Sequence, residues 1–241
     1  MQSFVELWIY LSASPLFGLT ATLAVYVLAQ TLYARVDQAP WANPVLWSVV
    51  VLATGLSAAG VSYPTYFAGA QFIHFLLGPA VVALGWPMWQ RRAQLRERVL
   101  PVVVAAGVGG LAASLSALGL GWALGLPDDV VRSLAPKSVT APVAMGIAAQ
   151  IGAIPALAAV FAVLTGMIGA IGGPALFDRL QITDPAVRGF ALGTASHGIG
   201  AARALQMHPD AVAYAGLAIG LQVIFASLWL PALFRLPALL H

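Results

Sequence analysis

The sequence predicts an all-α integral membrane protein, a polytopic helix bundle with discontinuous or re-entrant helices. Three observations carry that prediction. Of 241 residues, 61% are hydrophobic and 8% charged, about a third of the charge that a soluble domain needs for its polar shell. Mean hydropathy is +0.91. Several uncharged runs reach the ~20 apolar residues that a membrane-crossing helix requires, and none alternates apolar and polar residues as a membrane barrel strand does.

Taken in order, the candidate spans are 16–34, closed by Arg35 and Asp37; 45–61, short but apolar; 66–90; 99–126; 138–177; 189–202; and 211–234. The first dozen residues either extend the first helix or lie along the interface. Asn43-Pro44 reads as a helix start. The run 138–177 is too long for one helix, and Ile151-Gly152-Ala153-Ile154-Pro155 is its natural break, because proline disfavours a helical turn before it. One membrane domain over 1–241 is expected, with an N-terminal half 1–98 and a C-terminal half 99–241, since no polar linker separates two domains.

Arg91, Arg92, Arg96 and Arg98 form the densest basic cluster and are expected on the cytoplasmic side. Counting back puts Arg35 inside and the N-terminus outside; counting forward puts Asp128 and Asp129 outside. Beyond Lys137 short segments either cross or re-enter. The net charge of +3 reads as a topology signal, not a nucleic-acid surface. No basic n-region precedes the first apolar run, and Glu6 stands where one would be, so a secretory signal is not expected. With no cysteine, disulfides and thiolate sites are excluded.

Three segments carry polar groups into apolar surroundings. In Ala135-Pro136-Lys137-Ser138-Val139-Thr140-Ala141-Pro142, two prolines flank a lysine and two hydroxyls. Proline favours a helix's first turn, so a helix begins here, and its free N–H groups with Lys137 would attract an anion. The alternative is a lysine snorkelling from a membrane edge. In Gly189–Ala204, the residues Gly189, Gly193, His197 and Ala201 line one ridge that lets helices approach closely. Thr194, Ser196, His197 and Arg203 are too polar to face lipid; either they line a cavity, or Arg203 and His208 mark a boundary and His197 is a bonded core residue. Around Tyr63-Pro64-Thr65-Tyr66, Gln71 and His74 face either a cavity or a neighbouring helix. Gly and Pro breaks around polar groups at membrane depth mark secondary transporters, many of which hold inverted repeats. Gly78-Pro79-Ala80 and Gly173-Pro174-Ala175 match locally, too briefly to establish one. No Walker A loop, HExxH or Ser/His/Asp set is present, so no enzymatic activity or cofactor is expected. Acidic residues cluster at helix ends, which disfavours a cation site built on a buried carboxylate.

Pro136 to Gly146 resembles the PKSVTTPIAMG signature of the LrgB/CidB/YohK family. Arg188-Gly189 and Leu192 to Ala204 resemble its RG.ALGTASHAIGTARA segment, and Tyr63, Tyr66, Gly69 and Gly78-Pro79 match its YxxY…G…P region. This chain departs at Ala141 for threonine, and at Gly198 and Ala201 for alanine and threonine. The resemblance implies one of two roles. One is an antiholin-like regulator of murein hydrolase activity and autolysis, working with a small LrgA/CidA-type partner. The other is small-carboxylate movement, as in bacterial relatives linked to pyruvate and in the plastid glycolate/glycerate transporter, whose C-terminal half is similar.

The chemistry of the singled-out residues favours transport of a small monocarboxylate (pyruvate, glycolate, glycerate or lactate) by alternating access in a bacterial inner membrane. Lys137 or Arg203 would pair with the carboxylate. Ser138, Thr140, Thr194 and Ser196 would hold its oxygens, with Gln71 and His74 as further candidates. His197 would bond the substrate or carry a proton; coupling to H+ or Na+ is open, as carbonyls and hydroxyls can bind either. A homo-oligomer is expected.

Overall fold

The computed structural model describes residues 15–36, 39, 42–76, 79, 82–83, 85–90 and 92–239, and its regular elements are helices. Residues 1–14 and Gly78 fall outside the described residues, as does the side chain of His74. Leu16–Arg35, Val99–Ala123, Pro155–Arg179 and Pro209–Arg235 are each long and apolar enough to cross a bilayer, so this is a multi-pass membrane protein. Residues up to Ala83 form one compact unit, and those from Leu84 onward a second.

The first unit holds α1 (Pro15–Arg35), α2 (Pro44–Ala58) and α3 (Tyr63–Phe75). Helix α2 starts where the sequence places it: Asn43 Oδ1 accepts from Val45 N at 3.0 Å and Leu46 N at 3.1 Å. Helices α1 and α3 touch through Gly18, where a methyl group would collide with the Tyr66 carbonyl. Thr22 Oγ1 lies 2.7 Å from Tyr66 Oη beside it. The expected span 66–90 is not one helix. Helix α3 ends in a tightened turn, Leu76 N to Ile73 O, and a separate short helix covers Gly85–Gln90.

The second unit opens with the short α4 (Gly85–Gln90) and α5 (Arg92–Glu97), then α6 (Val99–Ala123), α7 (Asp128–Leu134), α8 (Ala141–Gln150), α9 (Pro155–Arg179), α10 (Pro185–Met207) and α11 (Pro209–Leu239). The long helices bury small residues and leave bulky ones outward. On α6, Val102, Ala106, Gly110 and Ser114 are buried, while Val103, Val104 and Val108 are exposed, as expected of a helix with lipid on one side and close-packed helices on the other.

Between these spans lie two re-entrant hairpins. In the first, the last turn of α7 is tied to the segment just past α8: Ser133 Oγ accepts from Ile154 N at 3.0 Å, and Arg132 Nη1 donates to Ile151 O at 3.4 Å. Its tip is the non-helical stretch 135–140, and Ser114 Oγ donates to Ala135 O at 2.8 Å. Ser114 lies well inside α6, so this tip sits deep in the bilayer rather than at its edge. The second hairpin is α10 itself, broken at His197 (φ 42°, ψ −133°). Gly200 lies against the Leu192 carbonyl, a contact that a straight helix, rising about 12 Å between those residues, cannot make. Gly189 packs on the Ala211 backbone and Gly193 on that of Ala215, so the first arm runs parallel to α11 and the second arm must return. The expected span 189–202 is therefore a hairpin that enters and leaves by one face. Its first arm rises roughly 18 Å at 1.5 Å per residue, to just past the middle of a ~30 Å core.

Helices α6 and α9 each have 25 residues and start 56 positions apart. The equivalence extends through both hairpins. The two helices end in the same motif: Leu126 N bonds Gly121 O and Ile182 N bonds Phe177 O, each around a left-handed residue, Gly125 (φ 68°) and Gln181 (φ 56°). At the same offset Asp128 matches Asp184, Arg132 matches Arg188, Ser138 matches Thr194 and Thr140 matches Ser196. Span plus hairpin occurs twice, with opposite orientation: the starts of α6, α10 and α11 share one face, where Arg98, Ala186 and Tyr214 line a common groove, and α7 opens from the other, where the Arg132 guanidinium lies 5.5 Å from the ring of Phe234 near the end of α11. Each hairpin has its own apolar cluster. One joins Leu118, Val131, Val139, Ile147 and Leu230; the other joins Phe177, Leu192, Ala204, Ala211 and Ile219.

Candidate functional site

The two hairpin tips lie against the same stretch of the scaffold. On α6, Ser114 bonds the first tip, and Gly109 faces Thr194 of the second, where a methyl group would come within 3.1 Å of Thr194 Cγ2. These positions are about 7.5 Å apart along the helix axis. On α9, His197 Nε2 lies 2.8 Å from Ala162 O, and Ala162 is part of the apolar cluster that holds Ala135 and Val139 of the first tip. A carbonyl oxygen only accepts, so His197 carries a proton on Nε2, leaving Nδ1 to face other partners. Gly166 makes the seat for the ring: a methyl there would come within 2.9 Å of His197 Cε1. Gly169 seats Ser196, whose hydroxyl occupies the space a Cβ would take. We expect Gly169→Val to displace the second tip and destabilise the protein by about 1–3 kcal/mol, the usual cost of overpacking, read as a lower thermal midpoint in detergent.

The tips carry polar groups that the fold leaves unused. Ser138 Oγ, Thr194 Oγ1 and Ser196 Oγ are buried and have no hydrogen-bond partner among the described residues; these residues are 5%, 8% and 0% exposed. Buried hydroxyls are normally paired, so these three are free to bond a polar ligand. Helix α8 begins at the first tip, and its N-cap Thr140 makes no side-chain cap bond. Pro142 removes one N–H there, and the others of the first turn remain free for an acceptor. The second arm of α10 likewise starts at its tip, so each tip presents a positive helix end at mid-depth. Lys137 stands half-buried between Pro136 and Ser138, at mid-depth and not at a membrane edge.

Arg203 sits on the returning arm of α10, where Nη1 donates to Gln206 Oε1 at 3.0 Å. Gln71 belongs to the first unit, is exposed, and bonds Ala68 O of its own helix at 2.8 Å. His74 is on α3, with its side chain outside the described residues. Sequence reasoning missed Gln222, which is 2% exposed and donates to Ala106 O at 2.7 Å. Ala106 is the α6 equivalent of Ala162, so two matched carbonyls each receive a polar side chain. A lone amide in the apolar run 211–234 is the signal that could have found it.

A vestibule leads toward the second tip. A groove of about 260 Å³ runs along the first arm of α10 from Arg98 to Phe190 and Ala191, and an adjoining cavity of about 280 Å³ is lined by Glu97, Arg98, Asp184, Asp210 and Tyr214. Ala191 is within one helical turn of Thr194.

The profile of the LrgB-like family matches residues 22–236. The chain belongs to this family. Among LrgB-like relatives, it is 34% identical to the uncharacterized protein YxaC of Bacillus subtilis over 210 residues, 87% of this chain and 91% of that one. It is 32% identical to the uncharacterized protein YwbG of the same organism over 190 residues, 79% and 84% of the two chains. The holin-like protein CidB of Staphylococcus aureus is 28% identical over 216 residues, 89% of this chain and 93% of that one. No solved structure matches this LrgB-like chain.

Proposed function

We propose that this protein moves small monocarboxylates, of the pyruvate, glycolate, glycerate or lactate type, across a bacterial inner membrane by alternating access. The observation that carries the reading is the set of three buried, unpartnered hydroxyls on the two hairpin tips, with an uncapped helix start and Lys137 on the first of them. The carboxylate would pair with Lys137 and accept from the first N–H groups of α8. The hydroxyl or carbonyl on the adjacent carbon would meet Ser138, Thr194 or Ser196. Specificity for a single negative charge follows from the repeat. The position equivalent to Lys137 is Gly193, packed on Ala215, so one tip supplies a cation and the other does not. The hairpins would move against α6 and α9 to open the site to one face at a time.

Purified protein in liposomes should take up labelled pyruvate, glycolate or lactate with saturation. A second reading rests on the printed name of one relative, a holin-like protein: regulation of murein hydrolase activity with an LrgA/CidA-type membrane partner. Absence of uptake both with and without such a partner would favour that role.

A further inference from the structure

We infer that Arg132 and Arg188 are equivalent latches, one for each hairpin, that set which membrane face the site opens to, and that they act in opposite directions. The inference rests on the transport reading for its purpose, but its geometry is independent of any substrate. The two arginines occupy matched positions in the inverted repeat, each one turn into the first arm of its hairpin.

Each makes the same three kinds of contact. Arg132 pairs with Asp128 at 2.5 Å, reaches Ile151 O beyond the end of the hairpin, and has its guanidinium 5.5 Å from the Phe234 ring of α11. Arg188 pairs with Asp178 of α9 at 2.5 Å, donates to Ile182 O just before the hairpin, and has its guanidinium 5.8 Å from the Phe177 ring of α9. Arg188 thus ties the base of its hairpin to α9 through a carboxylate and a ring, and Arg132 ties its hairpin to α11 through a ring, while Asp128 and Ile151 O hold the Arg132 guanidinium from within and just past that hairpin. The two sets lie on opposite faces. Because both carboxylates are well exposed, the pairs are screened and weak. That suits contacts that form and break in each cycle, where a buried ion pair would be too costly to part.

Exchanging the conformations of two inverted repeats turns one access state into the other. A latch on one repeat therefore closes one face, and releasing it favours the state open on that side. Leu134 and Phe190 are also equivalent positions, one residue pair beyond the arginines, and Phe190 lines the vestibule at the Arg98 face. The chain has no cysteine, so single reporters Leu134→Cys and Phe190→Cys need no background removal.

The test is the rate of labelling of each reporter by a membrane-impermeant maleimide added to its own face, in the full-length protein in oriented vesicles. Arg188→Gln should raise labelling at Phe190→Cys and lower it at Leu134→Cys, each by about 3- to 10-fold, the range that weak ion pairs and ring contacts can shift an equilibrium. Arg132→Gln should do the reverse. If either variant changes both reporters in the same direction, it merely loosens the protein and the latch is refuted; unchanged reporters refute it equally. Parallel uptake measurements separate the two ideas. Opposed labelling shifts without flux would keep the latches and remove the transport reading, whereas flux with unopposed labelling would do the opposite.

Discussion

Lys137→Met should abolish saturable carboxylate uptake while leaving expression and thermal stability near wild type. The ammonium has no ion-pair partner among the described residues, so removing it breaks no structural contact, and methionine keeps the length and apolar character of the stem. What is lost is the charge-assisted contact to the substrate, worth about 1.5–3 kcal/mol for a hydrogen bond to a charged group and more in a desolvated site. That corresponds to a fall of about 10- to 100-fold or greater in transport efficiency. Lys137→Arg should recover little, because the wider guanidinium does not fit where a point charge did. Wild-type uptake in Lys137→Met would remove this residue from the site. Loss of protein from the membrane would assign it a structural role instead.

The second large effect is expected at His197, and it separates backbone strain from side-chain contact. The residue holds φ 42° and ψ −133°, a conformation that costs a side-chain-bearing residue about 1–3 kcal/mol and glycine nearly nothing. It persists because the ring fills the seat at Gly166 and bonds Ala162 O. His197→Ala keeps the strain and forfeits both compensations, leaving a cavity, so a loss of about 2–5 kcal/mol is expected. His197→Gly forfeits the same contacts but releases the strain, and should be the more stable of the two by about 1 kcal/mol. Reversible unfolding in mixed micelles measures both. An alanine variant as stable as the glycine one would mean that the tip is not held in this conformation.

The fold was legible where physics acts locally. Uninterrupted apolar length located α6, α9 and α11, and Pro155 located the break after α8 because a proline cannot follow a helical turn without cost. Pro142 likewise marked the start of α8. Whether 189–202 crosses or re-enters stayed open in the sequence for a physical reason: two short arms of small residues have the length and composition of one helix, and only the return of Gly200 onto Leu192 tells them apart. The expected span 66–90 failed because hydropathy is blind to the turn that closes α3 at Leu76, which is as apolar as the helix before it. The repeat stayed hidden because packing in lipid asks only for small residues facing inward, so α6 and α9 diverged freely; the matches that survive are Asp128 with Asp184, Arg132 with Arg188, and the paired hydroxyls. The Gly-Pro-Ala matches noticed first lie outside that register. In the candidate site the hydroxyls and Lys137 were legible as polar groups out of place. The placement of the two tips against α6 and α9 was not, since it depends on long-range contacts.

The packing of α10 also bears on how the chain is made. Its first arm rests on Ala211 and Ala215, residues of α11 that leave the ribosome after it. Until α11 arrives, the hairpin has polar hydroxyls, an open backbone at His197 and no wall on one side, and lipid cannot satisfy any of them. The hairpin therefore completes its packing only once α11 is in place, so assembly of the site comes late in biosynthesis.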